Sequence, residues 1–320
     1  MWKTVVRRVL LMIPQIIILS VLVFSVAHFM PGDPFTGKIT PDMGAEVVEL
    51  LRERHGLNDP VPTQYARWVK NALQGDFGDS YTYKQPVTQL IGQSAQNTIL
   101  LSLVSLVLTY LIALPLGVFA GRYNDSLFDK GVVIYNYISF AIPTFVLALL
   151  MLWIFGYQLG WFPTRGTVSV TLTQGTFEYY LDKARHLILP SITSALLGTT
   201  SIIQYLRSEV IDAKTQDYVK TARSKGVPEN VVFNKHIFRN SALPIASTLG
   251  YQITFLIGGS VFIEQIFGYP GMGRLFIQSI NSRDYSVITA LVLLFGVATL
   301  FGTLLSDIIM SLVDPRIRID

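Results

Sequence analysis

The sequence contains no cysteine among its 320 residues, and only 14% of them are charged, where a soluble domain carries about 25%. The missing cysteines exclude a disulfide-stabilised secreted fold, thiolate catalysis and cysteine-ligated metal sites. The net charge of +4 is small and dispersed, which argues against a nucleic-acid partner. The chain is rich in apolar residues instead, at 51% with a mean hydropathy of +0.45, so lipid is predicted to be part of its surroundings.

Six apolar runs are long enough to cross a hydrocarbon core, which takes about 20 helical residues. Strands of a lipid-facing barrel are shorter and alternate in polarity. The sequence therefore predicts an all-α polytopic membrane protein, with six transmembrane helices in one domain over residues 1–320. The first run has no small-residue cleavage site and is interpreted as a retained span. The runs cover approximately residues 9–30, 98–120, 132–158, 187–206, 243–263 and 286–313.

The loop charges predict the orientation. With the N-terminus in the cytoplasm, fourteen Lys and Arg residues lie on the cytoplasmic side, against five in the two shorter external loops. The external loop 31–97 is left out of this comparison, because long loops translocate largely regardless of charge. Both termini are therefore expected in the cytoplasm.

Charged residues are almost absent from the apolar runs. Asp307 is the only charged residue in them, and it could contact headgroups or a neighbouring Arg, or take part in proton coupling. In the fifth run Thr248 and Gln252 lie four residues apart on one helical face. That face could line a translocation path or hydrogen-bond to another helix.

No catalytic residue and no metal site is expected. The segment 32–39 approaches the phosphate-loop pattern, but Ile39 replaces the hydroxyl residue that would ligate Mg²⁺. The four histidines form no pair spaced as metal ligands on a helix. They are His28, His55, His186 and His236.

The external loop 31–97 is predicted to hold two helices. Segment 44–56 is charged and helix-prone, and segment 61–73 places Tyr65 and Trp68 on one apolar face. This second helix could cap the bundle at the membrane surface or form a docking surface for an external partner. The turn-rich external loop 264–285 is another candidate docking surface for an external partner.

The cytoplasmic loop 207–242 is predicted to form two helices. Gly226 would end the first helix, and Pro228 would begin a second one that runs to about residue 240. The apolar residues Phe233 and Ile237 share a face of this second helix, which we expected to be exposed to a soluble partner. An ordinary interfacial connector is the alternative.

Several segments along nearly the whole chain resemble one family. Segments 217–226 and 240–244 resemble the EAA-type cytoplasmic loop of ABC-importer membrane subunits, and most closely the dipeptide/oligopeptide permease branch. Lys220-Thr221-Ala222 departs from the general Glu-Ala-Ala motif, and Gly226 lies 18 residues before Pro244, as in the peptide-permease form. Further segments fit in order: 31–34, 56–57, Pro60, 64–65, Trp68, 75–80, 270–274, 283–285 and 314–318.

The resemblance implies a type I ABC-importer permease in a bacterial or archaeal cell membrane. Its implied partners are a second homologous permease subunit, two ATP-binding subunits and an external or periplasmic solute-binding protein. ATP and Mg²⁺ would be bound by the partner subunits, so this chain would be a transport subunit without a cofactor and not an enzyme. The expected solute is a dipeptide or oligopeptide. A nickel chelate and an ATP-independent secondary transporter or channel are the alternatives.

The same resemblance assigns candidate site residues. The short cytoplasmic helix would sit in a groove of the ATP-binding subunit, while Arg274 and Arg283 would face the docked binding protein. The candidate path residues remain Thr248 and Gln252. The residues expected to couple transport to ATP hydrolysis are Asp217, Tyr218, Thr221, Ala222, Arg223, Lys225, Gly226, Pro228, Phe233, Ile237 and Pro244.

Overall fold

The computed structural model describes residues 2–29, 58–242 and 258–313, together with the single residues 50, 53, 245, 252 and 256. Within these residues the regular structure is helical, and the one extended pairing is an isolated bridge between Asp79 and Pro86. The predicted all-α fold is therefore confirmed for the described part of the chain. The expected helix at 44–56 lies almost wholly outside the described residues.

Twelve helices are numbered here along the described residues, and two π-helical segments continue α5 and α8. Segment 229–241, which consists of α8, the second π-helical segment and α9, is called the coupling helix. The helices are α1 Trp2–Phe29, α2 Val61–Leu73, α3 Val87–Arg122, α4 Leu127–Ala141, α5 Thr144–Met151 with Leu152–Gln158, α6 Phe177–Lys214, α7 Asp217–Ser224, α8 Glu229–Val231 with Val232–Phe238, α9 Arg239–Ser241, α10 Val261–Ile266, α11 Met272–Ser282 and α12 Tyr285–Val313.

Four of the described helices, α1, α3, α6 and α12, are long and apolar enough to cross a membrane. The bent pair of α4 and α5 makes a fifth if it is one span. The predicted fifth run, 243–263, lies mostly outside the described residues. The described part of the chain therefore accounts for four or five of the six predicted spans.

The third predicted run, 132–158, is apolar as expected but is not one straight helix. The helices α4 and α5 meet at an angle of 104°. Pro143 lies at the break, where its ring removes a backbone donor and forces the preceding Ile142 into an extended conformation with ψ 120°. The prediction of an apolar segment here is therefore confirmed, but the segment consists of two helices instead of one.

Helices α3 and α6 are longer than the predicted spans 98–120 and 187–206. Helix α3 begins directly after Pro86, and α6 begins where the Thr176 hydroxyl accepts a hydrogen bond of 3.3 Å from the Tyr179 backbone N–H. Both helices extend beyond the predicted spans at each end, and these additional turns contain polar and charged residues. A search for apolar runs therefore made both helices too short.

The centre of the fold is the packing of α3 against α6. Small residues of α3 face α6 and let the two backbones approach closely. A Cβ atom at Gly121 would lie 2.7 Å from the Cβ of Val210, and one at Gly117 would lie 3.1 Å from the Cβ of Leu206. This contact continues into a buried apolar cluster that includes residues of α7 and the coupling helix.

Helix α1 packs against α12, and an ion pair joins them. The Nε of Arg8 lies 2.9 Å from Oδ2 of Asp307, which is one of the two contacts expected for this intramembrane carboxylate. The predicted helix at 61–73 is confirmed as α2. It packs on α1, where the Tyr65 and Ser20 hydroxyls are 2.7 Å apart and the Trp68 ring lies 5.9 Å from that of Phe24.

Candidate functional site

The segment predicted to couple transport to ATP hydrolysis folds as two helices joined by a tight turn. Gly226 adopts a φ of +72°, and its N–H donates to the carbonyl of Arg223 at 2.9 Å, which ends α7. Pro228 directly precedes the first residue of the coupling helix, one position before the expected place. The stop at Gly226 and the second helix are therefore confirmed, whereas the first predicted helix, 207–225, is interrupted at residues 215–216, between α6 and α7. The end of the bundle that carries these helices is called the coupling end.

Most residues proposed for coupling lie on the surface. Seven are exposed, while Ala222 is buried and Pro244 lies outside the described residues. Two exposed side chains, Tyr218 at 40% near the start of α7 and Val231 at 44% near the start of the coupling helix, are aromatic or apolar. The seven exposed residues are Asp217, Tyr218, Thr221, Arg223, Lys225, Gly226 and Pro228.

The prediction that Phe233 and Ile237 form an exposed face is wrong. Both side chains are buried, at 4% and 0% exposure, in the cluster that α6 residues such as Leu206 and Val210 help to form. The middle of the coupling helix is π-helical, over Val232–Phe238, so Val232 and Ile237 both enter the cluster although they are five residues apart. Its apolar face therefore anchors the helix within this chain.

Two basic side chains join elements at the coupling end, Lys214 between α6 and α3 and Arg122 between α3 and the coupling helix. The Lys214 ammonium at the end of α6 donates to the carbonyls of Gly121 and Arg122 at 3.1 and 3.0 Å, at the end of α3 where a helix dipole favours a cation. The Arg122 guanidinium donates to Oδ1 of Asn230 at 2.6 Å and lies 4.5 Å from the centre of the Phe233 ring. The coupling helix is thus bonded to α3, and α3 is bonded to α6 at the same end.

An ion pair spans the turn between α7 and the coupling helix. The Arg223 guanidinium donates to both carboxylate oxygens of Glu229, at 3.0 and 2.6 Å. The hydrogen bond from Arg223 holds the pKa of Glu229 below its ordinary value. Both side chains are exposed, so the pair fixes the geometry of the turn and contributes little to global stability, about 0.2–1 kcal/mol.

A second, buried ion pair joins α4 to α6 near the same end. Nε of Arg207 donates to Oδ1 of Asp129 at 2.5 Å, and Nη2 donates to Oδ2 at 2.8 Å. The backbone N–H of Asp125 adds a third hydrogen bond, 2.9 Å long, to Oδ2. Since the Asp129 side chain is only 2% exposed, Arg207 supplies the charge that makes its burial tolerable.

A polar cavity of about 210 Å³ lies between α3, α6 and the fifth apolar run. The predicted path residue Gln252 lines it, whereas Thr248 lies outside the described residues. None of its lining side chains is charged. They belong to Ser102, Ser105, Leu106, Thr109, Ser194, Gly198, Gln252, Leu256, Gly259 and Ser260.

The sequence prediction missed the hydroxyl residues of α3 and α6 that line the cavity. The signal was present, because Ser102, Ser105 and Thr109 recur at three- and four-residue intervals along an otherwise apolar helix. The Ser105 and Thr109 hydroxyls donate to the carbonyls of Leu101 and Ser105, at 2.7 and 2.8 Å. Their hydrogens are thus satisfied within α3, while the oxygens can still accept.

At the opposite end of the bundle, two of the resembling segments meet. The buried Asp284 carboxylate accepts hydrogen bonds from the Ser80 hydroxyl at 2.5 Å and from the Thr82 backbone N–H at 3.2 Å. The adjacent Arg283 adopts a left-handed conformation, with φ +57°, and its side chain is exposed. The segments 75–80 and 283–285 thus form one surface around this carboxylate.

The two candidate docking arginines differ in their surroundings. The guanidinium of Arg274 is half-buried and donates to the carbonyl of Gly268, so it stabilises its own loop. A Cβ atom placed at Gly268 would lie 3.6 Å from this guanidinium and 3.5 Å from Nε of the exposed Arg165. Arg165 and Arg283, whose side chains are exposed, are therefore the more accessible positive charges on this surface.

Long apolar helices surround an uncharged cavity, and a short helix is anchored at one end of the bundle, an arrangement that suits a membrane permease. The description "Binding-protein-dependent transport system inner membrane component" matches residues 113–319, and that of the corresponding N-terminal domain matches residues 1–104. The chain belongs to this family of ABC-importer permease subunits. It is thus a multi-pass membrane component of a transport system and not an enzyme, as the sequence indicated.

Named relatives cover nearly the whole chain. The oligopeptide transport system permease protein AppB of Bacillus subtilis (strain 168) is 40% identical over 315 residues, which are 98% of each chain. The glutathione transport system permease protein GsiC is 35% identical in Salmonella paratyphi A and 34% identical in Escherichia coli (strain K12), over 99% of each chain.

Proposed function

We propose that this permease imports dipeptides or oligopeptides. Two relatives are named for oligopeptide and glutathione transport, and glutathione is itself a short peptide. The cavity supports the same solute class, since its serine and threonine hydroxyls and Gln252 offer neutral hydrogen-bonding groups without a selective charge. Peptides of varied sequence share a polar backbone, which such a lining can contact.

The proposed machine contains a second homologous permease subunit, two ATP-binding subunits and a solute-binding protein. The ATP-binding subunits contact the exposed surface of α7 and the coupling helix, and they carry the ATP and Mg²⁺. The observation that carries this proposal is the attachment of the coupling helix to α3 through Arg122 and to α6 through the Ser241 hydroxyl, which donates to the carbonyl of Glu209 at 3.1 Å. Because these two helices line the cavity, closure of the ATP-binding subunits can change the relative free energies of inward-open and outward-open states.

Reconstitution in lipid vesicles tests the function. The permease pair with its ATP-binding subunits should hydrolyse ATP slowly, and the peptide-loaded binding protein should stimulate both hydrolysis and uptake. Uptake by the permease alone, without ATP and without partners, would contradict the proposal in favour of a secondary transporter or channel.

The proposed orientation places the coupling end in the cytoplasm. Single cysteines at Lys84 and Lys225, both exposed, should then differ in labelling by a membrane-impermeant thiol reagent. The cysteine at residue 84 should react in intact cells, and the cysteine at residue 225 only after permeabilisation. The parent chain has no cysteine and is the blank. Equal labelling in intact cells would contradict the orientation.

The proposed docking surface for the binding protein includes Arg165 and Arg283. Replacing both by Ala should slow association of the loaded binding protein roughly threefold to tenfold at low salt, because surface charges mainly set the encounter rate. Binding-protein-stimulated ATPase activity over a salt series measures this effect, and basal activity should be unchanged. Lys70→Ala, an exposed charge on α2, is the control. Stimulation that is unchanged at every salt concentration would exclude these residues from docking.

A further inference from the structure

The carboxylate of Glu264 is fully buried, with 0% exposure of the residue, and it joins two parts of the chain. Its Oε1 accepts a hydrogen bond of 2.7 Å from the Thr98 hydroxyl of α3. Its Oε2 accepts a hydrogen bond of 3.0 Å from the backbone N–H of Arg274, in the first turn of α11. Groups that donate to both oxygens of a buried carboxylate strongly favour one arrangement of the segments that carry them.

Thr98 completes this connection, and the direction of its hydrogen bond is fixed. The backbone N–H of Met272 donates to the Thr98 oxygen at 2.8 Å, so the hydroxyl hydrogen is left for Glu264. Helix α3, helix α10 and the beginning of α11 are therefore joined by one chain of hydrogen bonds. Replacement of Glu264 by Gln must disturb it, because one of the two accepting oxygens becomes an NH₂ donor.

The turn that leads into α11 is shaped around this carboxylate. A Cβ atom at Gly271 would overlap the carboxyl group of Glu264. A Cβ atom at Gly259 would lie 2.6 Å from Oε1 of Glu264 and 2.6 Å from Cγ2 of Thr98. The segments on both sides of the hydrogen-bonded pair are thus in direct contact with it, and no space for a side chain separates them.

This connected group lies at one end of the polar cavity. Thr98 precedes the lining residue Ser102 by one helical turn, on the side away from Arg122 and the coupling helix. Gly259, which touches both Thr98 and Glu264, is itself part of the cavity lining. The Thr98 and Glu264 pair therefore lies next to the cavity, at the end opposite to the coupling end.

We propose that Thr98 and Glu264 are positioning residues that hold the translocation path closed on its external side, and that their separation accompanies outward opening. The proposal rests on the proposed function and orientation, since it is the external side only if the coupling end is cytoplasmic. Opening moves α10 and the turn before α11 away from α3. It breaks the bond between Thr98 and Glu264 together with two bonds to the turn, from the Met272 N–H to Thr98 and from Nδ2 of Asn97 to the Pro270 carbonyl at 3.0 Å.

The test measures access to the cavity from outside. A single cysteine replaces Ser102 in the cysteine-free chain, and a membrane-impermeant thiol reagent is added to right-side-out vesicles. In this background Thr98→Val should raise the external labelling rate about tenfold, because a buried hydrogen bond that favours the closed state is lost. Glu264→Gln should act in the same direction, and Thr98→Ser, which keeps the hydroxyl, should label like the parent.

Two controls separate a local closure from general loosening. Thr289→Val removes another buried threonine hydroxyl, which donates to carbonyls of its own helix, at 2.8 Å to Tyr285 and 3.1 Å to Ser286. It should not change labelling at residue 102. A reporter cysteine at Thr193, buried on α6 beside the cavity lining, should stay unreactive in the Thr98→Val variant.

Equal external labelling of parent and Thr98→Val would overturn the proposal, as would a parallel rise at residue 193. Failure of both Thr98→Val and Glu264→Gln to accumulate would assign the pair to folding and would also overturn it. Assembly with the ATP-binding subunits and stimulation by the binding protein are measured on the same samples. If assembly and stimulation persist while labelling at residue 102 is unchanged, the proposed role of Thr98 and Glu264 is wrong and the proposed function stands. If the parent protein shows neither assembly nor stimulation, the proposed function itself is wrong.

Discussion

Replacing Arg207 by Ala is expected to destabilise the permease by about 3 kcal/mol or more, because it leaves the Asp129 carboxylate buried without its counter-charge. Two charge-assisted hydrogen bonds are lost, and the remaining bond from the Asp125 backbone does not neutralise the carboxylate. The thermal unfolding midpoint and the monodisperse fraction of the detergent-solubilised protein measure the loss.

The double variant Asp129→Ala with Arg207→Ala provides the decisive comparison. It removes both charges, so it should be more stable than Arg207→Ala alone even though it carries one more substitution. Arg223→Ala is the matched surface control. It breaks an ion pair of the same kind with Glu229, but both partners are exposed, so the loss should stay below about 1 kcal/mol. Equal stability of the single and double variants would contradict the assigned role of Arg207.

Local features of this fold could be predicted from the sequence. The helix at 61–73, the stop at Gly226 and the start at Pro228 depend on proline and glycine chemistry and on periodicity within a few residues. The overall helical class followed from the length of the apolar runs. These features are determined by residues that are close together in the chain.

Features that depend on distant residues could not be predicted in this way. The apolar face of Phe233 and Ile237 has the same sequence pattern whether it meets a partner or its own chain, and only the position of α6 shows that it is buried. Glu264 lies in a segment that could be recognised as a turn-rich loop, but its partner Thr98 is 166 residues away. Single-sequence periodicity contains no information about such a contact.

The cavity shows an intermediate case. Gln252 was predicted from a polar interruption of an apolar run, and it does line the cavity. The hydroxyl residues of α3 gave the same kind of signal, but serine and threonine also satisfy themselves on their own helix, as Thr109 does. Amide side chains are harder to satisfy alone, and for that reason they are the better indicator of a polar path.

Replacing Tyr218 on α7 and Val231 on the coupling helix together by Asp should disrupt the surface that binds the ATP-binding subunit. Both side chains are exposed in this chain, so the variant should fold and insert normally. Buried in an interface with an ATP-binding subunit, two unpaired carboxylates should reduce association at least about tenfold, because central interface residues commonly contribute 2 kcal/mol or more. Co-purification of the ATP-binding subunits with the tagged permease measures the effect.

Phe233→Asp and Leu127→Asp separate this interface effect from folding and from charge alone. Phe233→Asp places a carboxylate in the cluster formed with α6, and it should lower the yield of folded permease rather than release the partners from a folded one. Leu127→Asp changes an exposed apolar residue near the same end, outside the coupling segment, and should affect neither. If the Tyr218 and Val231 variant retains its ATP-binding subunits in full, the contact surface lies elsewhere. In that event the exposed polar residues Asn234 and Lys235, further along the coupling helix, become the next surface to test.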